Sequence, residues 1–285
     1  MTEEPVLLPH PVTGQPFPSP VPPGTGWPDD PAAADAPVAH TGQDVARLAE
    51  AAADVEELCG AMSVCRACPR LVAWREDVAA NKRASFADQP YWGRPIAGWG
   101  DAHPRVLIMG LAPAANGGNR TGRIFTGDRS GDWLFAALHR VGLATQATSV
   151  HAGDGQRLLH TRMVAAVRCA PPDNKPTPGE RDTCAPWLLR EVDLVRPSVR
   201  AVVCLGSFGW EAALRVFRSL GYDVPRPKPK FGHAVEVALK DGDGHEVVLL
   251  GSYHPSQQNT FTGKLTEGML DAVLARAADL GGARN

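Results

Sequence analysis

Four short apolar runs, at residues 106–111, 163–167, 201–205 and 247–252, are separated by stretches whose apolar residues recur at helical spacing. Each run is rich in β-formers and does not alternate with polar residues, as expected of a strand buried on both faces. Between them, Trp133, Leu134, Ala137, Leu138 and Val141 share one helical face, residues 183–195 behave likewise, and residues 210–220 follow the third run. Such strand–helix alternation predicts a parallel sheet with helices on both faces. The expected architecture is a three-layer α/β/α domain around a central four-stranded parallel sheet.

A sheet of this kind binds ligands beyond the carboxyl ends of its strands. The glycine-rich, proline-rich and polar segments GLAPAANGG (110–118), RCAPPDN (168–174), GSFG (206–209) and YHPSQQN (253–259) all fall there, so four loops are expected to converge on one crevice. Neither GxGxxG nor GxxxxGK[ST] occurs, which argues against a dinucleotide or P-loop site.

The chain has 285 residues, a formal charge of −2 and 44% apolar residues. It has no run of eighteen apolar residues, and its acidic, proline-rich start resembles no secretory leader, so a cytosolic location is expected. In a reducing compartment its six cysteines are read as ligands or core residues rather than disulfides. Cys65 and Cys68 form a CxxC pair and Cys169 and Cys184 a second pair, giving four thiolates for one soft metal centre. Spacing alone admits zinc or an iron–sulfur cluster, and four filled positions imply a structural role. Cys204, inside the third apolar run, and Cys59, on an apparent helix, are assigned to the core.

Residues 1–40 hold eleven of the 26 prolines, so residues 1–42 are read as an extended or disordered arm and residues 43–285 as a single domain. Leu7, Leu8, Phe17 and Trp27 are candidate anchors for the arm. From Gln43 onward, Val45, Leu48, Ala52, Val55, Leu58 and Cys59 predict one helix leading to the first cysteine pair.

GLAPAANGGNRTGRIFTGD (110–128), SYHPSQQNTFTGKLT (252–266), CRACPRLVAWRE (65–76) and RCAPPDNKPTPGE (168–180) together resemble the uracil-DNA glycosylase superfamily, specifically its iron–sulfur branch, family 5. The resemblance covers roughly residues 60–275 and leaves the arm outside. It implies a glycosylase-like fold, a [4Fe-4S] cluster on Cys65, Cys68, Cys169 and Cys184, and hydrolysis of the N-glycosidic bond of a base swung out of damaged double-stranded or single-stranded DNA by a monomeric enzyme. It also implies that Phe125 stacks on the base, with Gly110 and Ala112 presenting backbone to it. In the same reading, His254 donates a hydrogen bond to the base carbonyl, and Asp128 orients water or stabilises the cationic sugar. Asn116 and Asn174 are further candidates for placing water or base, and Gln257 or Gln258 for a wedge into the minor groove. Arg120, Lys175 and Lys264, with Arg123 and Arg168, are expected to make the crevice locally basic for phosphate contact.

Two departures stand out. Leu111 occupies the place where several branches carry a polar, water-activating residue, and Ala165 the place where family 4 carries an asparagine that reads uracil. A pocket lacking that amide rejects other bases less sharply, so hypoxanthine, xanthine or modified cytosine are expected as substrates alongside uracil. No basic, histidine-containing insertion follows the first motif, which argues against a covalent DNA-trapping relative. The competing reading is a non-catalytic nucleic-acid-binding scaffold with structural zinc.

Overall fold

In the computed structural model, residues 6–283 are described, and they begin with a two-stranded antiparallel ribbon of β1 (Leu8–Pro9) and β2 (Pro16–Phe17). Three helices follow, α1 (Gly42–Ala51), α2 (Val55–Ser63) and α3 (Pro69–Ala80). The sheet-forming part then runs β3 (Trp99–Gly100), β4 (Val106–Gly110), α4 (Gly118–Thr121), α5 (Arg129–Arg140), β5 (Thr161–Ala165), α6 (Pro178–Val195), β6 (Ala201–Leu205) and α7 (Gly206–Ser219). It closes with β7 (Glu236–Lys240), β8 (Glu246–Ser252), α8 (Gln257–Phe261) and α9 (Glu267–Gly281).

The sheet order is β3-β5-β4-β6-β8-β7. The four strands expected from the apolar runs form its parallel centre, and β3 and β7 add an antiparallel strand at each edge. These edges extend the expected four strands to six. A two-residue strand carries no periodic signal, and β7 buries Leu239 while exposing Glu236, Ala238 and Lys240, the mixed pattern of an edge. Side chains alternate across the central strands: Val106 and Ile108 of β4 pack with α5 and α9, whereas Leu107 and Met109 pack with α6 and α7. The three layers follow from that alternation. Registers Gly110↔Ala165 and Leu205↔Ser252 bring the carboxyl ends of the parallel strands level, so the four loops open on one side.

The single helix expected before the first cysteines is two. A capping box between Thr41 and Asp44 starts α1, and the Asp54 carboxylate, accepting from the Glu57 amide at 2.9 Å, starts α2 after a break at Ala52. Asp54 at the cap competes with continued helix, which apolar periodicity does not register. Residues 6–41 run largely extended over the domain, with Phe17, Val21 and Trp27 buried beside Trp92, while Leu7 is exposed. Ion pairs Arg94–Asp30 at 2.6 Å and Arg123–Asp29 at 2.9 Å fasten this segment to the domain. Cys204 lies in the core on β6 and Cys59 is buried on α2, where Arg162 donates to its Sγ at 3.3 Å. No helix among the described residues is long and apolar enough to cross a membrane.

Candidate active site

Beyond the strand ends lies a cavity of about 740 Å³, lined by all four loops. A second lobe of about 1060 Å³ shares Ala114, Asp128, Ser130, Asn174, Ser256 and Gln258 with it, so the two form one crevice. Phe125 and His254 face each other in the inner lobe, with ring centroids 6.2 Å apart and planes tilted by 40°. Phe125 has a φ of 50°, rare for an aromatic residue, so the segment between α4 and α5 holds it against its backbone preference. The hold comes from buried hydroxyls: Thr126 Oγ1 lies 2.8 Å from Ser149 Oγ, and the Gly127 amide donates to Ser149 O at 3.1 Å. A Cβ on Gly110 would stand 2.6 Å from Phe125 Cζ, so glycine at the end of β4 is what lets the ring lie over the strand.

Burial pushes His254 down to about 4, so its imidazole is neutral near pH 7. The Asn259 amide donates to the His254 carbonyl at 2.8 Å and closes the turn that presents the ring. Asp128 is the N-cap of α5, its Oδ1 accepting from the Gly131 amide at 2.9 Å. Its other oxygen lies against Gly117, where any side chain would collide with it, so the carboxylate both caps the helix and faces the loop after β4. Burial raises its pKa above the usual carboxylate value, partly offset by the helix amides. Asn116 sits in the outer lobe and accepts from Tyr91 Oη at 2.9 Å. Asn174 lines both lobes, and it and Asp173 have φ near +55° (56° and 53°), a conformation these two residue types tolerate. Ala112 lines the inner lobe beside Leu111, and Ala165 is buried in the core at the end of β5.

Charge placement departs from expectation. Arg120 is buried, donating to Asn116 O at 2.9 Å, Gln89 Oε1 at 2.8 Å and Gly127 O at 2.9 Å, so it braces the loops instead of meeting phosphate. Arg123 is buried in ion pairs with Asp154 and Asp29, and Arg168 with Glu191 at 2.6 Å. Sequence proximity to the motif shows charge but not direction, and these three guanidinium groups point inward. Lys175 and Lys264 remain exposed, as do Gln257 and Gln258 at the start of α8. Arg129 is a further exposed cation at the lip, its guanidinium 4.8 Å from the Phe261 ring centroid, and Arg83 lines the outer lobe. Neither was singled out by motif, nor was Tyr91, whose link to Asn116 spans 25 residues. Pro11 and Val12, at the tip of the β1–β2 ribbon, also line the outer lobe.

Apart from the crevice, all four pattern cysteines line one small apolar cavity with Leu71, Val167 and Trp187. Cys65 lies between α2 and α3, Cys68 is the N-cap of α3, Cys169 follows β5, and Cys184 is on α6. The Arg70–Glu180 ion pair, at 2.9 Å, ties α3 to α6 beside them. Burial raises the Cys65 and Cys184 thiols, and burial with the neighbouring Cys169 and Cys65 pushes Cys68 up to about 12. Among the described residues no three Cys, His, Asp or Glu groups close on a point suited to a single ion. Among the described residues, two buried donors in the cavity wall, Trp187 Nε1 beside Cys65 and Arg75 Nε, make no well-formed hydrogen bond. A sulfur-rich guest would supply acceptors to such donors, so the residues fit a thiolate-bound cluster.

Comparison with known proteins adds independent findings. The family model for the uracil DNA glycosylase superfamily matches residues 97–278. A type-5 uracil-DNA glycosylase of Mycobacterium bovis is 58% identical over 273 residues, covering 96% of this chain and 99% of that protein. A type-5 uracil-DNA glycosylase of Thermus thermophilus is 47% identical over 229 residues, covering 80% and 99%. A type-4 uracil-DNA glycosylase of Archaeoglobus fulgidus is 26% identical over 162 residues, covering 56% and 70%.

Proposed function

The chain belongs to the uracil DNA glycosylase superfamily, within it to the type-5 uracil-DNA glycosylases, and from that premise we infer how its crevice releases uracil from DNA. The observation that carries the reading is the facing pair Phe125 and His254 at the carboxyl ends of β4 and β8. A planar base taken out of the helix stacks on the Phe125 ring, with the backbone of Gly110 and Ala112 beside it. Neutral His254 donates a hydrogen bond to a carbonyl of the departing base, where negative charge gathers as the glycosidic bond breaks. The bond's electrons leave with the base, and water adds to the sugar carbon and gives up a proton that neutralises the departed base anion, leaving an abasic site and the free base. Asp128, with one oxygen turned toward the loop after β4, stabilises the positive sugar or orients that water. Asn116 and Asn174 line the same crevice and are placed to hold water or base. Lys175, Lys264 and Arg129 contact phosphates, and α8 carries Gln257 and Gln258 into the minor groove.

The base range follows from the walls. Leu111, in the wall, stands where other branches carry a polar, water-activating residue, and Ala165, in the core at the end of β5, offers no amide, so the enzyme also releases hypoxanthine, xanthine and modified cytosine. Double-stranded DNA is the substrate, with single-stranded DNA a further one, and the protein works as a monomer in the cytoplasm. The cavity lined by Cys65, Cys68, Cys169 and Cys184 holds a [4Fe-4S] cluster, the four thiolates supplying its ligands and the buried donors of the wall facing its sulfurs. When bound, the cluster supplies a structural clip and no step of base release.

The test is a glycosylase assay over uracil, hypoxanthine, xanthine and thymine in single- and double-stranded DNA, with iron and zinc measured on the same sample. Uracil release with measurable hypoxanthine release and about four irons per chain is expected. Uracil release without any from hypoxanthine would overturn the broad base range.

A further inference from the structure

Arg75, on α3, is among the largest fully buried side chains, at 1% exposure. A buried guanidinium is permanently charged and needs an anion beside it. Among the described residues no carboxylate pairs with Arg75: the neighbouring Glu76 pairs with Arg66, and Glu180 with Arg70. Its partners are instead Cys169 Sγ, which accepts from Nη1 at 2.8 Å, and the carbonyl of Cys65, which accepts from Nη2 at 3.0 Å. Nε, buried and without an acceptor, lines the same cavity as the four cysteines. The other arginine in that wall, Arg168, already has Glu191 as its counter-ion. Of the two, Arg75 is the one whose guanidinium hydrogen-bonds a pattern cysteine's sulfur, whereas Arg168 turns to Glu191, which it shares with Arg162.

We propose that Arg75 is the built-in counter-ion of the cysteine-held cluster: it donates an N–H···S bond to the Cys169 thiolate and offsets the cluster's negative charge in a dry site. The proposal rests on the [4Fe-4S] reading above. A cluster carried by four thiolates is anionic, and hydrogen bonds and positive charge at its sulfurs are the levers by which a protein retains it and sets its electronic properties. Lysine at this position keeps the charge with poorer aim, whereas methionine keeps the bulk and loses both charge and donor.

The experiment compares the wild-type holoenzyme with Arg75→Lys and Arg75→Met, isolated without oxygen. Iron content, the iron–thiolate stretching bands in resonance Raman spectra and the rate of iron release to a chelator are measured. The methionine variant is expected to shift an iron–thiolate band upward, as the hydrogen bond is lost, and to release iron about tenfold faster or to assemble no cluster. The lysine variant is expected to assemble the cluster and fall between the two. A methionine variant with wild-type iron, bands and release rate overturns the proposal. So does a lysine variant that assembles no cluster, since it retains the charge. Wild-type protein isolated with zinc and no iron instead fails the cluster reading itself, before any variant is compared.

Discussion

The cysteine cavity and the strand-end crevice share one stretch of chain, residues 166–174, and are built in opposite ways. The first is small and apolar, walled by helices α3 and α6, with its few polar groups aimed at sulfur. The second spans lobes of about 740 and 1060 Å³, and among the described residues the exposed Asn174 side chain on its lining makes no hydrogen bond. A resident guest permits permanent enclosure, whereas a substrate that enters and leaves requires donors that stay underused until it arrives. Stability is therefore expected to concentrate at the cysteine cavity and turnover at the crevice.

The largest break in that contrast is Cys184→Ser. It is expected to abolish iron binding, lower the melting temperature by about 10 °C and take uracil release down with it, read by metal analysis and calorimetry. His254→Ala acts on the other side alone, lowering kcat by about 10² to 10³ with melting temperature and iron content unchanged; full activity in this variant would remove His254 from the chemistry. Gly110→Ala forces Phe125 from its seat without touching the cysteines. A fall in kcat/KM of roughly tenfold to a hundredfold is expected, with the cluster's absorption intact.

Acid tests which histidines the fold holds neutral. His10 and His254 are lowered to about 4 and His151 to about 3, mainly by burial, from an ordinary 6.5. Between those values and 6.5 the unfolded chain binds protons that the folded chain does not, so stability is fullest above about pH 6.5 and declines as pH falls toward 4. Melting temperature followed over that range should show the decline, and His151→Phe should make it shallower. The smallest effects belong to the rim: Lys175→Ala and Lys264→Ala should each reduce the salt slope of DNA binding by about one, with kcat unchanged.

Strands β4 and β6, and the apolar parts of β5 and β8, were legible because burial on both faces leaves an apolar run, though β5 starts and ends two residues before its run, taking in Thr161 and the buried Arg162; the loops at the strand ends followed from topology. Edge strands were not, since one face of β7 is solvated and β3 is too short for any period. Residue types at the crevice were legible as motifs, but the direction of a long side chain was not. Arg120 and Arg123 sit in the first motif as Lys264 sits in the last, yet the first two are buried in brackets between loops and the third is exposed. Partnerships set by the fold, such as Tyr91 with Asn116 or Arg75 with Cys169 across 94 positions, leave no local trace.

The distance in sequence between the two cysteine pairs sets an order of events during synthesis. Cys65 and Cys68 leave the ribosome well before Cys169 and Cys184, and at about 5–20 residues per second the 116 positions from Cys68 to Cys184 take roughly 6 to 23 s. Through that interval the early pair stands as an exposed CxxC with the other two of the four ligands unmade. The newborn chain is then open to oxidants and to competing soft metals in a way the finished enzyme, with Cys169 and Cys184 buried, is not.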